Sequence, residues 1–188
     1  FYNGISHYYD YIHQKGASFI IVGPIDRHNA PQYNEETNTW SSTLQGFSEI
    51  GKRYVDEKIA EGATDIAFVD LNAPSLAWYS QLCKELGMKE KSADYYFKVA
   101  HGDEKVDGTH PNDAGVDVFA KMFFDCAKAV VDADPSSPQA KVLSEVLEGM
   151  RDEIPHTVPT SIISLGPAPN SAYPPKYVPP VTSDFPLI

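Results

Sequence analysis

An aspartate three residues ahead of a histidine, Asp107-Gly108-Thr109-His110, is the pair in this 188-residue chain whose types and spacing best suit catalysis. A carboxylate that accepts a hydrogen bond from one imidazole nitrogen fixes the tautomer and stabilises the imidazolium, leaving the other nitrogen to act as a general base. The chain continues Pro111-Asn112-Asp113-Ala114-Gly115, so the pair falls at a loop-to-helix junction. One turn there brings the two side chains together, and Asn112 or Asp113 caps the helix that follows. Spacing alone does not single the pair out, because Asp10-Tyr11-Ile12-His13 repeats it inside a helical pattern, where a solvated surface pair is expected. The plainer reading of Asp107 and His110 is a capping and turn pair without catalysis. His101, Asp103, Asp107 and His110 also make a loose group of possible metal ligands, but they lack the short His spacings of the usual sites, and no metal or cofactor is assigned.

The elements that must position these residues alternate in period. Ile5, Tyr8, Tyr9 and Ile12 recur at helical spacing up to Lys15, and Gly16 stands where a glycine closes a helix. Ser18 to Val22 is a continuous apolar, β-branched run ended by Gly23-Pro24, as expected of a parallel strand buried on both faces. Residues 24–42 are polar and turn-rich, and they follow the C-terminal end of that strand, where ligands bind in α/β sheets. A helix is expected from about Thr43 to Gly62, with Leu44, Phe47, Ile50, Tyr54, Val55 and Ile59 inward, then a buried strand Asp65–Leu71 and a helix Ala73–Leu86 closed by Gly87. Residues 88–111 read as irregular, with Tyr95, Tyr96 and Phe97 packing beneath the Asp107–His110 loop. Helices are expected over about Asn112–Val131 and Ser137–Arg151.

The order is α-β-α-β-α, with two parallel strands. Two strands alone make a marginal sheet. Since nothing after residue 88 reads as a buried strand, further strands are expected from a segment ahead of Phe1 or from a partner chain. A start at Phe1 instead of an initiator Met is what a mature end, or a piece of something longer, would give.

At Asp107-Gly108-Thr109-His110-Pro111-Asn112-Asp113-Ala114-Gly115 the chain resembles the last conserved block of the SGNH (GDSL-type) hydrolases, in which a DxxH pair supplies the Asp and His of a Ser-His-Asp triad. FIIVGPIDRH (19–28) and FVDLNAPS (68–75) resemble strand and loop segments of the rhamnogalacturonan acetylesterase branch. The likeness covers residues 1 to about 131. It implies the C-terminal part of a three-layer αβα, flavodoxin-like parallel sheet over residues 1–134, an additional helix at 135–154 and a proline-rich extension at 155–188. The serine block, the glycine block and the GxND block of the family are absent, and they belong upstream of residue 1. Ser41, Ser42 and Ser75 lack the context of a nucleophile elbow. The resemblance therefore implies an esterase that removes acyl, chiefly acetyl, groups from a carbohydrate such as acetylated rhamnogalacturonan, with Asp107 and His110 catalytic and inactive on their own. Arg27 and His28, beside Asp26, and the aromatic rings of Tyr33 and Trp40 are candidates to meet the acetylated poly- or oligosaccharide. As alternatives, Arg27 forms a surface ion pair and the rings cover the edge of the core.

Composition narrows the partners. A formal net charge of -11 opposes nucleic acid and anionic membrane, which need clustered Lys and Arg. No apolar run approaches the roughly 18 residues that span a bilayer. Cys83 and Cys126 lie in helical patterns without a CxxC neighbour, as expected of buried free thiols, with a disulfide between them as the alternative. Nine of the fifteen prolines fall between Pro155 and Pro186, which favours polyproline II, while Ile162, Ile163, Leu165, Tyr173, Tyr177 and Phe185 suit a tail that packs on a surface. The competing reading of the whole is a non-catalytic glycan-binding or scaffolding module that keeps the fold and has lost the serine.

Overall fold

A computed structural model of the chain describes residues 1–26, 32–34, 36–37, 39–86, 97–99 and 106–150. For some of these, Trp40, Cys83 and Asp107 among them, only the backbone is described. The elements run α1 (Tyr2–His13), β1 (Phe19–Val22), β2 (Gln32–Asn34), β3 (Thr39–Ser41), α2 (Gln45–Ala60), β4 (Ile66–Val69), α3 (Asn72–Leu86), β5 (Phe97–Val99), β6 (Val106–Pro111), α4 (Asp113–Ala133) and α5 (Pro138–Met150). The protein is of mixed α/β class, with five helices and a small parallel sheet among the described residues.

Two compact units share the chain. The first comprises the described residues of Phe1–Ile25, Leu44–Ala73 and Phe123–Ile154; the second, those of Asp26–Thr43 and Pro74–Met122.

In the first unit the two apolar runs do what their β-branched composition dictates. β1 and β4 pair in parallel, from Phe19 opposite Ile66 to Val22 opposite Val69, and all four residues of β4 are buried. α2 connects them and packs on the sheet at Gly51, where an added Cβ would lie 3.0 Å from Ile21 Cγ2 and 3.2 Å from Phe68 Cε2. Ile5, Tyr9, Ile21, Tyr54, Val55, Ile66 and Phe68 form one core cluster. Each large aliphatic side chain so removed from water contributes about 1.5–3 kcal/mol before entropy is charged. Gly16 and Gly62 have φ of +70° and +99°, the left-handed conformation that ends α1 and α2.

The inward face of α2 is largely the expected one, with Tyr54 and Val55 buried and Ile50 and Ile59 packed against the core, and Phe47 departs from it. Phe47 is exposed and meets Phe1 edge-to-face at 4.9 Å, while Ser48, Gly51, Tyr54 and Val55 turn inward. The close approach at Gly51 sets that rotation, and Phe47 lies about 100° from Ser48 around the helix. Tyr8, one of the residues recurring at helical spacing along α1, is exposed beside buried Ile5 and Tyr9. α5, with Ala140, Val142 and Leu143 buried, packs against β4, and Gln139 Oε1 accepts a 2.9 Å hydrogen bond from the Phe68 amide. Its first turn is capped by Ser137, whose hydroxyl accepts from the Ala140 amide at 3.1 Å.

In the second unit the stretches expected to be irregular contain two antiparallel hairpins. β2 pairs β3 through Tyr33 opposite Trp40, and β5 pairs β6 through Val99 opposite Val106 and Phe97 opposite Pro111, with a register shift between. The Asn34 side chain accepts from the Glu36 and Thr37 amides, an Asx turn that closes the first hairpin despite its polar sequence. Trp78, Tyr79, Val118 and Met122 are buried, and Trp78 meets Phe119 edge-to-face at 5.6 Å. Gly87, the Tyr95-Tyr96 pair and the proline-rich tail lie outside the described residues.

Candidate functional site

His110 lies near the end of β6 and is exposed; Asp107 is in the same strand, and its side chain lies outside the described part. The turn expected to join them is thus a correction: residues 106–111 are extended backbone. Three residues of strand rise about 10 Å, where three residues of helix rise about 4.5 Å. The register shift in β5–β6 makes this strand irregular at the same place.

The junction itself is built as the sequence suggests. Asn112, fully buried, caps α4: its Oδ1 accepts from the Gly115 amide at 3.0 Å and its carbonyl from the Val116 amide at 2.8 Å. A buried amide side chain held this way fixes where the helix starts, and His110 stands two residues before it. Arg27 and His28 lie outside the described residues, and Trp40 is placed by its backbone in β3. The structure therefore locates His110 fully and Asp107 and Trp40 in backbone only.

Asp26, next to Arg27, is 1% exposed. The Tyr79 hydroxyl donates to its carbonyl at 2.7 Å, and its amide donates to Ser75 Oγ at 3.3 Å. Burial, and then the Asp26 charge, push the Tyr79 phenol far above its usual range, so it serves as a neutral donor. Ser75 has no solvent exposure, and its hydroxyl accepts from the Asp26 amide.

Sequence reasoning missed two polar clusters in the first unit. At the C-terminal ends of β1 and β4, Asp70 Oδ1 accepts from Ser48 Oγ at 2.6 Å and from the Asn72 amide at 2.9 Å, while Asn72 Nδ2 donates to the Pro24 carbonyl at 3.0 Å. Gly23 makes this possible, since a Cβ there would lie 2.4 Å from Ser48 Oγ. Ser48 donates to a carboxylate and not to an imidazole, so the cluster ties the strand ends together and activates no nucleophile. The one available signal was an Asp directly after an apolar run.

The second cluster contains the histidine that was set aside. His13 Nδ1 lies 2.5 Å from Asp65 Oδ2, the Tyr9 hydroxyl donates to Asp65 Oδ1 at 2.9 Å, and the Tyr9 and His13 rings stack at 5.5 Å. His13 is therefore partnered by Asp65, 52 residues away, in place of the expected Asp10. Burial pushes the Asp65 carboxyl up, but the hydrogen bonds from His13 and Tyr9 outweigh it and hold the group below its usual value. Burial and then the bond to Asp65 raise the Tyr9 phenol to about 12. This is an Asp–His pair by geometry, yet Asp65 precedes β4 and so lies at the opposite end of the strand from where ligands bind in α/β sheets. It staples α1 to the sheet.

Cys126 is a free thiol whose pKa is pushed up to about 11 by burial and then by Asp125 and Asp70, which makes it a poor nucleophile. Among the described residues no three metal-ligating side chains cluster, and no helix is long and apolar enough to cross a membrane. Against this geometry, no family model, curated protein or solved structure matches the chain.

Proposed function

We propose that this chain is the C-terminal part of an SGNH-type serine esterase that removes acyl groups, chiefly acetyl, from a carbohydrate such as rhamnogalacturonan. The nucleophilic serine and the oxyanion hole come from a segment upstream of these residues or from a partner chain. The observation that carries the reading is the Asp107–Gly115 block with His110 exposed directly before a helix whose start Asn112 holds rigidly. A general base must be both accessible and positioned, and this junction gives His110 both properties. The parallel β1–β4 pair, with α1 and α2 packed on it, supports the reading as part of a three-layer flavodoxin-like sheet.

In the assembled site the serine hydroxyl attacks the ester carbonyl and His110 takes its proton. His110 then returns that proton to the departing sugar hydroxyl; Asp107 holds the imidazole only where assembly of the full site draws the extended backbone of residues 107–110 into a turn. Water repeats the sequence to release acetate. Arg27, His28 and Trp40, all in the segment after β1, are the residues assigned to the sugar. The test is hydrolysis by the longest natural form of the protein, assayed on acetylated pectin, acetylated xylan, 4-nitrophenyl acetate and long-chain acyl esters. Acetate release from a polysaccharide supports the proposal. Turnover of long acyl chains alone refutes the carbohydrate assignment, and glycan binding without turnover favours the non-catalytic module.

A further inference from the structure

α1 carries more exposed aromatic surface than its place in the fold requires. Its inner side buries Ile5 and Tyr9, yet Tyr8 and Tyr11 are 64% and 59% exposed, and Phe1, just before the first turn, is 62% exposed. Side chains three apart on a helix are neighbours, so the two tyrosines leave one face together. Gly4, one turn before Tyr8, adds no side chain to that face, and nothing lies within 4 Å of where its Cβ would be. Lys15 bounds the other end, its Nζ 5.6 Å from the centre of the Tyr11 ring. Elsewhere the described residues expose large apolar side chains only at Phe47, which meets Phe1, and at two valines, Val22 and Val116.

Exposed aromatic rings set side by side are what a proline-rich segment docks on: polyproline II needs no internal hydrogen bonds, and its stiffness keeps the ordering cost low. This chain contains such a segment. Tyr173-Pro174-Pro175-Lys176-Tyr177-Val178-Pro179-Pro180 places four prolines in eight residues, and Lys176 is the only Lys or Arg after Arg151. The α1 face offers the opposite charge: Asp10, next in the chain to Tyr11, is exposed and has no cation paired with it among the described residues. Reach sets no obstacle. α5 ends at Met150 in the same compact unit as α1, and Pro174 stands 24 residues further on, roughly 70 Å at about 3.1 Å per residue.

We infer that residues 173–180 of this chain dock on the exposed face of α1, with prolines against Tyr8 and Tyr11 and Lys176 beside Asp10. The esterase reading leaves both the α1 face and the tail unused, and the inference does not depend on it. The tail of a second copy carries the same chemistry but competes poorly. A tethered segment meets its site at an effective concentration of millimolar order, above that of a dilute second copy, and two chains of net charge -11 repel. With a free-peptide Kd of about 0.1 mM, the docked form exceeds the undocked by about tenfold.

Limited trypsin digestion of the 188-residue chain tests this, because Lys176 lies inside the docked segment. Cleavage after Lys176 runs about tenfold slower than in a free peptide of residues 168–184, and Tyr8→Ser/Tyr11→Ser restores the peptide's rate. Both tyrosines are exposed, so that variant keeps its core. Asp10→Asn speeds cleavage about two- to fivefold at low salt and less at high salt. A reciprocal measurement reads the helix: Pro174→Ala/Pro175→Ala shifts the amide resonances of His7 to Tyr11 and leaves those of Ala140 to Leu143 in α5 unmoved. Cleavage of the parent at the peptide's rate overturns the inference, and so does protection that survives in the tyrosine variant. Protection that falls on dilution overturns it as well, because the occupant is then the tail of another copy.

Discussion

Replacing Gly23 with Ala separates two opposing effects at the end of β1. Its φ lies outside the left-handed region, so Ala is tolerated by the backbone and would stabilise by about 0.4–1 kcal/mol through the unfolded chain. Packing opposes this: the new Cβ would lie 2.4 Å from Ser48 Oγ, 2.8 Å from Asp70 Oδ1 and 3.3 Å from Phe68 Cζ. The first two atoms are joined by a 2.6 Å hydrogen bond, so neither can withdraw without breaking it. Overpacking costs about 1–3 kcal/mol, and a lost hydrogen bond to a charged group about 1.5–3 kcal/mol. With partial relaxation the net loss expected is about 1.5–3 kcal/mol. For a chain of this size that lowers Tm by about 3–12 °C, and it is measured equally well as a shift of the urea midpoint at constant m. Ser48→Ala removes the nearest obstacle, so the double variant should be more stable than the sum of the single effects by about 1 kcal/mol. A Gly23→Ala protein as stable as the parent, or strict additivity with Ser48→Ala, would refute the close-approach argument.

Other perturbations follow from the same geometry. Asn112→Ala should destabilise the protein by about 1 kcal/mol through loss of the α4 cap, measured by urea unfolding. Tyr54→Phe should leave stability unchanged or raise it by about 1 kcal/mol, since among the described residues no group hydrogen-bonds the buried Tyr54 hydroxyl. The Asp65 carboxyl is depressed in the folded state, so the unfolded chain binds more protons through the acid range. Its stabilising contribution is therefore complete above the ordinary carboxylate value of 3.8 and is lost as pH falls through the lower folded value. Asp65→Asn should flatten that acid limb of the stability curve while lowering stability at neutral pH; an unchanged limb would show that the His13 and Tyr9 bonds do not form.

The elements with a single strong period were legible. The apolar runs at 18–22 and 65–71 became a parallel pair, and the helix starts at Asn112 and Ser137 follow from caps that a short polar side chain makes locally. The two hairpins were not legible, because three-residue strands such as Gln32–Asn34 and Thr39–Ser41 are too short for alternation to register. Phe47 was placed inward with the other apolar residues of the helical pattern, whereas the close packing at Gly51 decides the rotation of α2. The partnership of His13 with Asp65 was invisible for another reason: nothing local signals a contact 52 residues away, and the nearer Asp10 offered a spacing that looked sufficient. The Asp107–His110 spacing has the same weakness, since the same separation yields no pair at residues 10 and 13. Its strength lies in the capped helix that follows.

His110 is proposed as the general base of an esterase. The most direct measurement compares kcat/KM for 4-nitrophenyl acetate between the full natural protein and its His110→Ala variant, with His13→Ala as the control. A loss of about 10⁴-fold or more is expected for His110→Ala and little change for His13→Ala. Undiminished hydrolysis by the His110→Ala protein would contradict it.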